Sequence, residues 1–282
     1  MKIKVALAQT KPYLGAVNKN KKMMIDNIKK AIEKEIDLIV FSELALTGYN
    51  LKDMVPVVAL WNDENKEMKE LLELSKEISI MFGAVEEDNR HSFYNAAYYL
   101  EDGEIKKVHR KVYLPTYGMF DEKRYFAKGD KFRAFDTKFG RIGMLICEDA
   151  WHSSSSYILS QDGADYVFVL ASSPARGIDE NEKLGSMRTW ENMNRLYADL
   201  FNSYYIFVNR VGYEDGVNFW GGSEVIDPFG KVEGKAQYFE EELLFVELER
   251  QKVRRARIYT PVLRDEDINL TIRELQRIQK EN

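Results

Sequence analysis

Over the first nine residues polar and apolar side chains alternate, with Ile3, Val5 and Leu7 on one side, which predicts a strand. Met24, Ile25, Ile28 and Ile32 then fall at helical spacing, with Asn18 or Asn20 as the expected N-cap. Leu38-Ile39-Val40-Phe41 has no polar side, the pattern of a strand covered on both faces. Met68, Leu71, Leu72 and Ile78 predict a second helix, followed by a strand at residues 80–85. Residues 93–100 and 104–109 read as a hairpin about Asp102-Gly103, and 133–138 with 141–147 repeat the theme. A helix near 153–162 leads to a strand at 166–170, and a long helix at about 182–202 leads to one at 205–208. Strands at 222–226 and 243–248, separated by the turn Asp227-Pro228-Phe229-Gly230, close the sheet, and the tail from Asp267 is helical.

Strands alternate with helices in both halves, with hairpins between. The expectation is an α/β fold with mixed sheets, two sheets packed face to face and helices outside. No repeat, low-complexity tract or Pro/Gly/Ser linker divides the chain. Residues 1–250 are therefore expected to form one domain, with 251–282 an extension lying on it or at a dimer interface.

Composition narrows the class. In 282 residues, 45% are hydrophobic and 31% charged, enough apolar side chains for a sizeable core, which excludes a disordered chain. The 41 basic and 46 acidic residues leave a net charge of −5, with no general nucleic-acid footprint. One dense basic run, Arg250 to Arg257, reads as a solvated helix face or an interface patch. The single cysteine, Cys147, removes any intramolecular disulfide framework, and the scattered His91, His109 and His152 leave no spacing for structural zinc. No run approaches the ~20 apolar residues of a membrane span, and the first residues lack the charged start and long apolar core of a signal peptide. The expected location is the cytoplasm.

Three polar residues stand at the ends of apolar strands, where α/β folds place reactive groups. Glu43 follows the run ending at Phe41, Cys147 follows Gly143-Met144-Leu145-Ile146, and Lys111 ends the first hairpin before an aromatic loop. Singly, these read as a solvated cap, a small buried hydrophobe and a surface cation. Together they supply what thiol acyl transfer requires: a nucleophile, a carboxylate to take and return its proton, and an ammonium for the oxyanion. On this reading a thiolate favoured by Lys111 would react with iodoacetamide well below the ordinary cysteine pKa of ~8.5. The rival arrangement is a Cys–His dyad using His152, five residues beyond Cys147.

Separated segments then resemble, in order, the nitrilase superfamily of carbon-nitrogen hydrolases, from residue 3 to about 248. They are Ala6-Leu7-Ala8-Gln9, Phe41-Ser42-Glu43 with Leu46-Thr47-Gly48-Tyr49, Arg110 to Pro115, Gly143 to Asp149, and Gly221-Gly222-Ser223 followed by Asp227-Pro228-Phe229-Gly230. The resemblance implies an α-β-β-α sandwich that pairs into a homodimer or a larger homo-oligomer. It also implies Glu43 as base, Lys111 as oxyanion and positioning cation, Cys147 as nucleophile and Glu122 as a second glutamate orienting substrate. Neither a metal nor an organic cofactor is implied.

The segments Tyr117 to Phe126, Ile146 to Trp151 and Thr260 to Glu266 more narrowly resemble the glutaminase domain of glutamine-dependent NAD synthetases. That likeness implies a pocket drawing on Tyr117, Phe120, Glu122, Glu148, Trp151 and Ser173. Arg176 is, apart from the likeness, a candidate carboxylate clamp that is not counted among the site residues. The sequence has no Ser-Gly-Gly-x-Asp-Ser loop of the kind the ATP-using domain carries, so it is not expected to make NAD unaided. The leading expectation is cysteine-dependent hydrolysis of a small carboxamide through a thioester. The alternatives are a glutaminase subunit serving a separate NAD synthetase chain, a hydrolase of N-carbamoyl compounds, and a catalytically silent binding protein.

Overall fold

In the computed structural model, which describes residues 2–61, 66–177 and 184–281, the chain opens with β1 (Lys2–Gln9), α1 (Val17–Glu33) and β2 (Leu38–Phe41). There follow α2 (Val55–Val58), β3 (Leu60–Trp61), α3 (Lys66–Leu74), β4 (Ser79–Glu87), β5 (Phe93–Glu101), β6 (Glu104–Arg110) and α4 (Glu122–Tyr125). The middle runs through β7 (Phe135–Thr137), β8 (Gly140–Ile146), α5 (Ser153–Gln161), β9 (Tyr166–Ala171), α6 (Gly185–Leu200) and β10 (Tyr204–Asn209). The last part holds β11 (Val211–Glu214), β12 (Val217–Trp220), β13 (Glu224–Ile226), β14 (Val232–Lys235), β15 (Glu242–Glu249), α7 (Arg250–Tyr259), α8 (Val262–Asp265) and α9 (Ile268–Glu281).

Two mixed sheets carry the architecture. The first is ordered β15-β1-β2-β4-β5-β6, with β3 added beside β4, and the second β14-β13-β10-β9-β8-β7. β1, β2 and β4 run parallel, as do β3 with β4 and β8, β9 and β10 together, and the remaining strands of each sheet are antiparallel. Alternation along the strands divides the apolar side chains into layers. Val5, Leu7, Leu38 and Val40 of the first sheet interdigitate with Met144, Ile146, Phe168 and Val208 of the second. The opposite face of the first sheet, with Ala6, Ile39 and Phe82, packs on Met24, Ile28 and Leu71 of α1 and α3. The opposite face of the second, with Leu145, Val169 and Phe207, packs on Leu159, Trp190 and Tyr197 of α5 and α6. The result is the expected α-β-β-α sandwich. Beyond β15, α7 plants Val253 in the core between the sheets.

Several local expectations change. Neither Asn18 nor Asn20 caps α1, which begins after Ala16 without a side-chain cap. Asn20 is buried instead: it accepts from the Tyr13 amide and donates to the Tyr13 and Leu46 carbonyls, tying the loop before α1 to the segment after β2. Ile78 lies beyond the end of α3, in the link to β4. The hairpin β11–β12 and the strand β14 were not expected. The start of the helix placed at 182 lies outside the described residues; α6 is seen from Gly185.

Candidate active site

The carboxyl ends of the parallel strands in the two sheets deliver the site. Glu43 stands two residues past β2, Cys147 immediately past β8, and Ser172 and Ser173 immediately past β9. Lys111 follows β6 at the edge of the first sheet. Gly83 on β4 makes the approach to Glu43 possible: a Cβ there would lie 2.3 Å from the Leu44 nitrogen and 2.8 Å from the Glu43 Cα. Cys147 has φ +45°, a left-handed elbow where the chain leaves β8.

These side chains form one buried charge cluster. Lys111 Nζ donates to Glu43 Oε1 at 2.8 Å and to Glu122 Oε1 at 2.7 Å, with all three groups shielded from water. Asn95 Nδ2 donates to Glu43 Oε1 at 2.8 Å, and the Ser172 amide to Glu43 Oε2 at 2.7 Å. Tyr49 donates its hydroxyl to Glu122 Oε1 at 2.6 Å, leaving Glu122 Oε2 buried with no partner. Burial opposes the Lys111 charge, but Glu122 and Glu43 outweigh it and hold the ammonium protonated well beyond its ordinary range. Burial and the nearby Glu43 raise the Glu122 carboxyl to about 7, against the pull of Lys111 and the Tyr49 hydroxyl.

The same surroundings set the state of the thiol. Burial, then Glu43 and Glu122, push Cys147 well above its usual value, against the opposing effects of Lys111 and the Ser172 amide. The expectation of a resting thiolate is thereby reversed: one ammonium between two carboxylates does not leave enough positive potential at the sulfur. These surroundings favour the protonated thiol.

Asp149 locks the parts in register. It is fully buried, and its carboxylate accepts from the amides of Val112 at 3.0 Å, Tyr113 at 2.9 Å and Ile146 at 3.1 Å. His109 Nε2 lies 3.0 Å from its other side. One carboxylate thus joins the loop carrying Lys111 to the elbow carrying Cys147. The His152 dyad is not formed: its ring stacks on Tyr113 with centroids 3.5 Å apart, while His91 bonds Glu87 and His109 bonds Asp149.

A cavity of about 380 Å³ opens over Cys147. Tyr117, Phe120, Glu148, Trp151, Ser173 and Arg176 all line it, so the residues expected around substrate come together. Glu122 is the exception, lying behind the pocket wall on Lys111. Tyr117 donates to Glu148 Oε2 at 2.9 Å, and Arg176 lies over the Phe120 ring. Ser173 Oγ accepts from the indoles of Trp190 at 2.9 Å and Trp220 at 3.2 Å. A hydroxyl has two lone pairs and one proton, so with both lone pairs engaged Ser173 Oγ has only its proton left to offer.

A family model described as carbon-nitrogen hydrolase matches residues 4–258. The chain belongs to the carbon-nitrogen hydrolase family. It is similar to a glutamine-dependent NAD(+) synthetase of Acinetobacter baylyi, 32% identical over 255 residues that make up 90% of this chain and 46% of that protein. A probable nitrilase of Schizosaccharomyces pombe is 30% identical over 240 residues, 82% of this chain and 83% of that one. Among solved structures, a carbon-nitrogen hydrolase from Helicobacter pylori G27 aligns with a TM-score of 0.86 at 26% identity, over 98% of this chain and 99% of that chain. The chain spans about half the length of the NAD synthetases it matches.

Sequence reading of this carbon-nitrogen hydrolase missed the supports around the charged residues. Asn95 stood out as the one amide in the run Phe93-Tyr94-Asn95-Ala96-Ala97-Tyr98, a signal for a buried polar role. Tyr49 and Asp149 lay inside quoted motifs without an assigned task. Glu214, which bonds the amides of Tyr49 and Asn50 and pairs with the buried Arg210, carried no local signal.

Proposed function

We propose that this carbon-nitrogen hydrolase is a cysteine-dependent amidase acting on small carboxamides. The observation that carries the reading is the single ammonium of Lys111 held between Glu43 and Glu122, within electrostatic reach of Cys147. Cys147 Sγ attacks the amide carbon as its proton passes to Glu43, so the thiolate exists only while the new bond forms. Lys111, itself shielded from water, stabilises the negative charge developing on the carbonyl oxygen. The tetrahedral intermediate collapses, the C–N bond breaks, and the nitrogen leaves as ammonia or an amine carrying the proton from Glu43. Water, deprotonated by Glu43, attacks the thioester; the acid is released and the thiol recovers its proton. Glu122 and Tyr49 position Lys111.

A narrower reading is a substrate of the glutamine type. The pocket mouth presents a carboxylate, Glu148, suited to an α-ammonium, beside Arg176 and the committed Ser173 donor, suited to an α-carboxylate. The likeness to glutamine-dependent NAD(+) synthetases supports it, and ammonia would then pass to a separate synthetase chain. Exposed Ile158, Leu196 and Leu200 on α5 and α6 support self-association, which light scattering would read as a mass above one chain.

The test is ammonia release from glutamine, asparagine, short aliphatic amides, ω-amides of dicarboxylic acids and a nitrile control, with Cys147→Ala alongside. Amide turnover by wild type that is lost in Cys147→Ala is the expected result. Turnover retained by the variant overturns the amidase reading, and preference for a short aliphatic amide over glutamine overturns the narrower one.

A further inference from the structure

A second cavity, of about 580 Å³, lies outside the candidate active site along β6 and the segment from Lys128 to Arg133. Among the described residues β6 is the last strand of its sheet and pairs with β5 alone, so the cavity runs along a sheet edge. Lys107, Arg110, Lys128, Lys131 and Arg133 line it against two acids, Glu86 and Asp130. This is a local surplus of positive charge on a chain whose net charge is −5.

Not all five cations are free. Arg110 is held bidentately by Glu86 and stacks on Tyr94, and Lys131 has its neighbour Asp130 at 3.8 Å. Lys107, Lys128 and Arg133 form no ion pair with any described residue. Lys107 is half-buried, and burial together with the like charges of Lys131 and Arg133 lowers its pKa, against a smaller pull from Asp162. Crowding cations at a concave surface costs energy that a bound anion would return. Cations scattered on an edge strand to prevent sheet-to-sheet pairing would not need to converge on one cavity.

We propose that this cleft binds a small multivalent anion of the phosphate-ester or pyrophosphate class, held by Lys107, Lys128 and Arg133. The cavity is larger than a lone phosphate requires, and the guanidinium of Arg133 offers the paired donors that suit phosphate oxygens. The floor is shared with the frame of the candidate active site. Gly129 donates its amide to the Lys111 carbonyl at 2.7 Å, and His109, also in the lining, bonds Asp149. The inference does not rest on the amidase reading, because binding is read without turnover.

The experiment is titration calorimetry of the intact chain with inorganic pyrophosphate at low and at moderate salt. Wild type is compared with the double variant Lys107→Gln/Arg133→Gln. An equally charge-reduced control, Arg273→Gln/Lys280→Gln, alters only exposed positions of α9. The expected result is saturable binding of one pyrophosphate per chain, weakened about tenfold or more in the cleft variant and unchanged in the control. No saturable binding, or equal weakening in both variants, overturns the proposal. Saturation by heparin without any by pyrophosphate also overturns it, and assigns the cleft to a polyanionic macromolecule instead.

Discussion

Glu122 sits where its charge is a burden on the fold, and Glu122→Gln tests this. Its carboxyl titrates at about 7 in the folded chain against an ordinary value of 4.5. An acid whose folded pKa is raised leaves stability untouched below the unfolded pKa and removes it as pH climbs through the folded one. With those two values, the linkage relation gives a cost on the order of 1 kcal/mol at pH 5 and about 3 kcal/mol at pH 8. Glutamine reproduces the protonated form. Its carbonyl oxygen can still accept from Lys111 and Tyr49, while its amide N–H groups stand where Oε2 has no partner, a cost of about 1–3 kcal/mol that does not change with pH. The stability of the variant relative to wild type should therefore rise by about 2 kcal/mol from pH 5 to pH 8, about 4–8 °C in Tm. Urea and thermal unfolding of both proteins at the two pH values measure it. A gap of equal size at both pH values, or one that shrinks as pH rises, refutes the reasoning. Ammonia release should meanwhile fall, because the carboxylate that positions Lys111 is gone.

Three further outcomes follow from the same geometry. At pH 7.5 iodoacetamide should alkylate Cys147 more slowly in the folded protein than in urea, since the native thiol is held above its usual pKa; rapid native labelling at pH 6 would contradict the neutral resting state. Gly83→Ala should push the Glu43 segment off β4, costing about 1–3 kcal/mol of stability and at least about tenfold in kcat. Unfolding curves and ammonia assays report the two losses separately, and an alanine variant of full activity would show that the contact is not needed. Ser173→Ala should strand two buried indole N–H groups, each at about 1–3 kcal/mol, and raise KM more than it lowers kcat; an unchanged KM would remove Ser173 from substrate binding.

The layers were legible because burial writes itself into the strands. Leu38-Ile39-Val40-Phe41 has no polar side, and the structure covers it on both faces, whereas the helical spacing of Met24, Ile25 and Ile28 marks the outer layer. Glu43, Lys111 and Cys147 were visible as reactive residue types at strand ends. Their supports were not. Tyr49 meets Glu122 across 73 residues, Asn95 meets Glu43 across 52, and Ser172 meets Glu43 across 129. Such pairings are set by how the sheets dock, which no local pattern records. The same holds for Asn20, whose position near a helix start suggested a cap while tertiary contacts took its amide inward. The state of the thiol was misjudged for a related reason: Lys111 was visible as a nearby cation, but the two carboxylates that claim it were not visible as its partners.

The four bonds of Asp149 fasten a loop of one sheet to the elbow of the other, and this has a consequence for the life of the chain before it is finished. Glu43 and Lys111 leave the ribosome ahead of Cys147, while Ser172 and Trp220 emerge later still. Until the two sheets dock, Cys147 is an ordinary thiol in open chain, accessible to alkylation and oxidation. Docking sets it beside the buried charges of Glu43, Lys111 and Glu122, which hold its proton more firmly. The finished fold thus protects a side chain that the growing chain leaves open.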